Sequence, residues 1–197
     1  MDIHQRIHDT PVDRRGGYPW LTVSDVFPPA EYERLRHQGG TAASQRLMDA
    51  FDDPRIVRQL YQSFSGEHRP DPIRSIYAFW QKTGSGYSLK PHEDSWPRVF
   101  TVVMYFPEDD DYPLAGTSIY EVDEDQRTYS TVAVSPYQSN TMTIIAPVTG
   151  ITWHGVDLIT RPVNRNSAVI VYSAQPWDRH QLHYASWKPG RNVNYDG

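Results

Sequence analysis

The chain contains no cysteine in its 197 residues. Disulfides, thiolate metal sites and a cysteine nucleophile are therefore excluded, and a metal could be held only by His, Asp or Glu. Positive charge is also in short supply: 19 Lys and Arg stand against 24 Asp and Glu, a formal net charge of -5. Phosphate backbones are bound by basic faces, so nucleic acid is not the expected partner. No apolar run approaches the roughly 20 residues of a membrane-spanning helix. The opening Met1-Asp-Ile-His-Gln-Arg6 has no apolar core of signal-peptide length. The expectation is a soluble, cytoplasmic protein with no membrane partner. Internal repeats are missing as well, and the length suits one domain spanning 1–197 rather than two.

Aromatic residues are plentiful. Thirteen Tyr and six Trp favour strands and an aromatic-lined cavity. Residues 1–17 are polar, with Pro11 and Gly16-Gly17, and read as a mobile lead-in. His4 and His8 stand four apart there and read as solvated. Residues 18–73 read as a supporting segment: a short strand at 18–23, a helix from Pro29 to about His37, and a helical stretch from Ser44 to Phe64 broken at Pro54. Leu47, Met48 and Phe51, then Ile56, Leu60, Tyr61 and Phe64, recur at helical spacing and predict a packing face.

From residue 74 the texture changes to short β-branched and aromatic runs. Strands are predicted at about 74–82, 87–93, 100–106, 117–121, 128–134, 140–145, 152–157 and 166–173. Helices first and strands afterwards predict an α+β chain, mainly β, whose core at 74–173 is a sandwich or barrel; eight strands suit a jelly roll. Residues 174–197 read as a C-terminal tail packing over it. The acidic runs Glu108-Asp-Asp-Asp111 and Asp123-Glu-Asp125 read as solvated loops.

Two groups of residues carry chemistry. In Tyr87-Ser-Leu-Lys-Pro-His-Glu-Asp-Ser-Trp96, strand alternation puts His92 and Asp94 on one face. Together they make two-thirds of a 2-His-1-carboxylate metal site. His154, in Ile151-Thr-Trp-His-Gly-Val156, is the candidate third ligand, and Gly155 leaves room there for close approach of another group. Further on, Arg165-Asn-Ser-Ala-Val-Ile-Val-Tyr172 places Arg165, Ser167, Val169 and Val171 on one strand face. A buried arginine is costly unless an anion meets it, and its planar fork matches a carboxylate, with Ser167 as a further donor. Arg161, beside Pro162, better fits an exposed or paired role. A rival pair, His180 and His183, lacks a third partner and reads as part of the tail with Trp177.

These residues resemble the iron(II)- and 2-oxoglutarate-dependent dioxygenases, nearest the prolyl-hydroxylase-like branch. Gly84-Ser-Gly-Tyr-Ser-Leu-Lys-Pro-His92 is similar to the family's glycine turn and tyrosine before the first ligand. Arg98-Val-Phe-Thr-Val-Val-Met-Tyr105 resembles the strand that follows, Leu114-Ala-Gly-Thr-Ser-Ile-Tyr120 the next, and Trp153-His-Gly-Val156 the surroundings of the distal histidine. The resemblance covers about half the chain, roughly from Ile76 to Tyr172. It implies a double-stranded β-helix (jelly-roll) core with N-terminal supporting helices. It also implies iron(II) held by His92, Asp94 and His154, and 2-oxoglutarate held by Arg165 and Tyr105 with Ser167. O2 would complete the reactants of a C–H oxidation that releases succinate and CO2. Asp94 favours hydroxylation, since related halogenases lack this carboxylate; desaturation, epoxidation and ring formation stay open.

Two departures from the family pattern remain. The position of a further cosubstrate contact is shared between Tyr77, Trp80 and Gln81, with Gln81 the candidate taken forward, and the loops after Phe106 and Tyr120 match no known pattern. Expected substrates are a small molecule, amino acid or peptide. The alternatives are a cupin-like metal enzyme that does not use 2-oxoglutarate, and a non-catalytic jelly-roll binding domain. On strand parity, an inward Tyr105 takes Thr101 and Val103 with it, leaving Phe100, Val102, Met104 and Phe106 on the opposite face.

Overall fold

Prolines set two of the helix starts. Pro29 opens α2 (Pro29–Gln38) and Pro54 opens α4 (Pro54–Phe64), where a missing N–H costs no helical hydrogen bond. Between α2 and α3 (Gly40–Phe51), Gly39 and Gly40 take φ values of 52° and 53°. That left-handed corner favours glycine. In α4 the buried residues Ile56, Val57, Leu60 and Phe64 form one apolar stripe.

In this computed structural model, residues 2–64, 71–94, 96–108, 112–123, 128–148, 150–176 and 191–195 are described. The chain is mainly β and builds two antiparallel sheets. The larger has the order β1-β7-β4-β9-β2-β10 and the smaller β3-β8-β5-β6. Their strands are β1 (Trp20–Val23), β2 (Ile73–Thr83), β3 (Leu89–His92), β4 (Arg98–Tyr105), β5 (Thr117–Asp123), β6 (Thr128–Ser135), β7 (Met142–Ile145), β8 (His154–Val156), β9 (Arg165–Ser173) and β10 (Arg191–Tyr195). All eight strands expected after residue 73 are present, with ends displaced by a few residues.

The large sheet is buried on both faces. Leu21, Val23, Ile76, Ala78, Phe100, Val102, Met104, Met142, Ile144, Ala168, Ile170 and Tyr172 join the core shared with the helices. The Tyr172 hydroxyl donates to the Phe51 carbonyl at 2.8 Å, tying β9 to the end of α3. The opposite face carries Tyr77, Phe79 and Gln81 on β2, Arg165, Ser167, Val169 and Val171 on β9, and Thr101, Val103 and Tyr105 on β4. Their cross-strand register fixes this: Tyr77, Val171 and Thr101 are aligned, as are Phe79, Val169 and Val103, and Gln81, Ser167 and Tyr105. This face meets the smaller sheet, and the parity expected of β4 holds.

Two sequence expectations need correction. Residues 1–17 are not a mobile lead-in throughout. Ile3–Asp9 forms a helix, α1, that packs against α4 through Ile3 and Ile7, the latter fully buried; two apolar residues four apart suffice for one helical stripe. Within the segment read as a C-terminal tail, Arg191–Tyr195 adds to β2 as an edge strand. Lastly, His92 and Asp94 do not share a strand: β3 ends at His92 and Asp94 lies in the turn beyond it. His180, His183, Trp177 and much of both acidic runs lie outside the described residues. Among the described residues, no helix is long and apolar enough to cross a membrane.

Candidate active site

His92 and His154 face each other directly across the β3–β8 pairing, with ring centroids 4.5 Å apart. The approach depends on Gly155, where a Cβ would stand 2.3 Å from the Leu89 carbonyl oxygen. Asp94 joins them from the turn, its Oδ2 3.7 Å from His154 Nε2. One ligand atom from each of the three lies within 4.8 Å of the others, and among the described residues no other such group forms. His4 and His8 sit on α1 beside Asp2 and Asp9.

The histidines are oriented for a metal. Nδ1 of His92 lies 3.1 Å from the Lys90 carbonyl and Nδ1 of His154 2.9 Å from that of Thr152. A carbonyl only accepts, so each Nδ1 carries the proton and each Nε2 presents a lone pair. Burial pushes the pKa of His154 down, against the opposing pull of Asp94, which favours the neutral imidazole a metal requires. Burial of Asp94 resists ionisation, but His154, the Arg98 guanidinium and the Thr101 hydroxyl outweigh it and hold the carboxyl below its usual range. Two imidazoles with a buried carboxylate fit a divalent cation bound by N and O donors.

A second polar cluster lies on the same sheet face, towards the other end of β4. Arg165 is only 2% exposed. Its Nε donates to the Ala115 carbonyl at 2.6 Å and its Nη1 to Ser167 Oγ at 3.0 Å. The guanidinium carbon lies 5.8 Å and 6.0 Å from the ring centroids of Tyr105 and Tyr137. Among the described residues no carboxylate pairs with it. The Tyr105 hydroxyl sits 2.6 Å from Thr117 Oγ1 and 2.7 Å from Thr143 Oγ1, and burial pushes the Tyr137 hydroxyl up to about 12.

Of the three candidates on β2, the structure separates Trp80 from the others. Trp80 points to the helices and packs on Phe106, with centroids 4.6 Å apart. Gln81 stands in register with Ser167, at the arginine end. Tyr77 stands in register with Thr101 through Val171, at the metal end.

Sequence reasoning placed Thr101 inward with Tyr105 but missed Arg98, Thr117, Tyr137 and Thr143. A usable signal was present for Thr143, a polar residue on the buried parity of an otherwise apolar strand. Tyr137 lies outside any strand, and no local pattern marks it.

Among solved structures, the chain has the fold of the 2-oxoglutarate- and iron(II)-dependent oxygenases. It is similar to a prolyl-4-hydroxylase from Pseudomonas putida, with TM-score 0.52 and 14% identity over 90% of this chain and 92% of that one. It is likewise similar to HygX from Streptomyces hygroscopicus, solved with nickel, 2-oxoglutarate and hygromycin B bound, with TM-score 0.55 and 12% identity over 91% and 94%. An oxidoreductase of the 2OG-Fe(II) oxygenase family from Burkholderia pseudomallei aligns at TM-score 0.54 and 14% identity over 79% and 84%. No family model and no curated protein matches the sequence.

Proposed function

We propose that the chain is an iron(II)- and 2-oxoglutarate-dependent oxygenase that hydroxylates a C–H bond of a small molecule, amino acid or peptide. The observation that carries this reading is the buried Arg165, without a carboxylate partner among the described residues, on the sheet face that also meets the His92, Asp94 and His154 cluster. A metal site alone suits many chemistries. A metal site with a buried, unmatched arginine beyond it asks for a ligand that chelates at one end and carries an anion at the other.

The spacing agrees. Thr101, which bonds Asp94, and Tyr105, which packs on Arg165, are four residues apart on β4, or about 13 Å along a strand. A five-carbon diacid spans most of that distance, with a metal–oxygen bond at one end and a hydrogen bond at the other. The two facing sheets are then the halves of a double-stranded β-helix with the site between them.

His92, Asp94 and His154 would hold the iron, leaving its remaining positions open. Arg165 would clasp the far carboxylate of 2-oxoglutarate, with Ser167 and Tyr105 beside it and Gln81 in the same row. When bound, iron, 2-oxoglutarate and O2 supply oxidation of a substrate C–H bond coupled to release of succinate and CO2. The chain's own work is to orient both acids and to keep water from the buried end. The hygromycin B seen in HygX supports a small-molecule substrate. The test is succinate formation from 2-oxoglutarate with iron(II) and air, screened across amino acids, peptides and small polar metabolites. A substrate should raise the rate above the uncoupled level; no succinate under any condition would refute the assignment.

A further inference from the structure

Arg98 belongs to neither function so far described, yet it is aimed at the metal cluster. The register of β4 against β9 shifts between Arg98 and Phe100: Arg98 lies opposite Ser173, and Phe100 opposite Tyr172. Val99 is the extra residue. Without it, alternation would place Arg98 with Phe100 and Val102 on the helix-covered face; the bulge turns it to the face of Thr101. Spending a bulge on one side chain suggests that its direction matters.

The contacts show what it reaches. Arg98 Nη1 donates to Asp94 Oδ1, while Thr101 Oγ1 donates to Asp94 Oδ2 at 2.6 Å. Oδ2 is also the oxygen that stands 3.7 Å from His154 Nε2. Tyr77, in register with Thr101 through Val171, lies on the same face beside Arg98. Asp94's side chain is 3% exposed against 29% for Arg98, so this pair is not the solvated surface kind that contributes little.

We infer that Arg98, with Tyr77 beside it, is a positioning residue that makes Asp94 a one-oxygen metal ligand: Oδ2 is turned to the metal and Oδ1 is reserved for the guanidinium. This rests on the function proposed above. A carboxylate free to chelate through both oxygens would occupy a position that the cosubstrate needs. Arg98 keeps that position open from outside the coordination sphere.

The test uses cobalt(II) as a visible probe in the full chain. Native protein, Arg98→Met, Arg98→Lys and Tyr77→Phe are compared for cobalt absorption and for 2-oxoglutarate affinity of the cobalt-loaded protein, after circular dichroism confirms folding. Arg98→Met should alter the cobalt spectrum and weaken 2-oxoglutarate binding by about tenfold, the usual lower effect of losing a partner behind a metal ligand. Arg98→Lys should recover part of both, and Tyr77→Phe should move both slightly in the same direction. If Arg98→Met does not fold, Tyr77→Phe decides by the same spectrum. Native-like spectra and affinities in the folded variants would overturn the inference alone. A native chain that takes up no cobalt would overturn it together with the proposed function.

Discussion

The two ends of one sheet face are built differently. At the metal end the ligands come from short pieces: the last residue of β3, the turn after it and the three-residue β8. At the arginine end, Gln81, Ser167 and Tyr105 occupy one row across three long strands. The first is a convergence of chain ends, each held by local hydrogen bonds. The second is a consequence of register, so a one-residue slip would turn the whole row to the helices. Under the proposed function the difference separates two tasks: metal capture would depend on individual side chains, and anion capture on the sheet.

Substitutions at the two ends should therefore be separable. Asp94→Ala should have the largest effect, lowering metal affinity by more than about 100-fold, beyond the range seen for partners behind a ligand; competition with a colorimetric chelator measures it. Arg165→Met should leave metal affinity within about twofold while weakening 2-oxoglutarate binding by at least about 30-fold, the low end for losing one partner of a buried charge pair. The same variant removes a buried charge without a carboxylate partner, so its melting temperature without cosubstrate should hold or rise. Equal losses at both ends would show that the two clusters form one unit.

Tyr105→Phe should act more weakly. It deprives Thr117 and Thr143 of their shared hydroxyl, costing about 1 kcal/mol of stability by denaturant titration and less cosubstrate affinity than Arg165→Met. Glu93→Gln should matter least. Glu93 lies between two ligands in sequence but outside their cluster, and metal affinity should stay within about twofold. A larger loss would make Glu93 part of the metal end.

The metal end was legible in the sequence because its residue types are rare in combination and lie in short β-rich runs. His92, Asp94 and His154 come together in the fold, although Asp94 arrives from a turn and not by strand alternation. At the arginine end, the Arg165, Ser167, Val169 and Val171 face was legible from period two alone. Which residues lie opposite was not: register is a property of pairing, so Thr117 and Tyr137 carried no local mark. Arg98 was hidden by a bulge, where counting by twos gives the wrong face. Helix α1 was missed because a seven-residue segment with only Ile3 and Ile7 as anchors is set by packing on α4 and not by its own propensity.

Under the proposed function, a single ligand bridges the two ends. Adding 2-oxoglutarate to the iron(II)-loaded protein without oxygen measures this directly. A weak visible charge-transfer band should appear and saturate, vanish in Asp94→Ala, and require far more 2-oxoglutarate in Arg165→Met. No band with the native protein, or an undiminished band in Asp94→Ala, would contradict it.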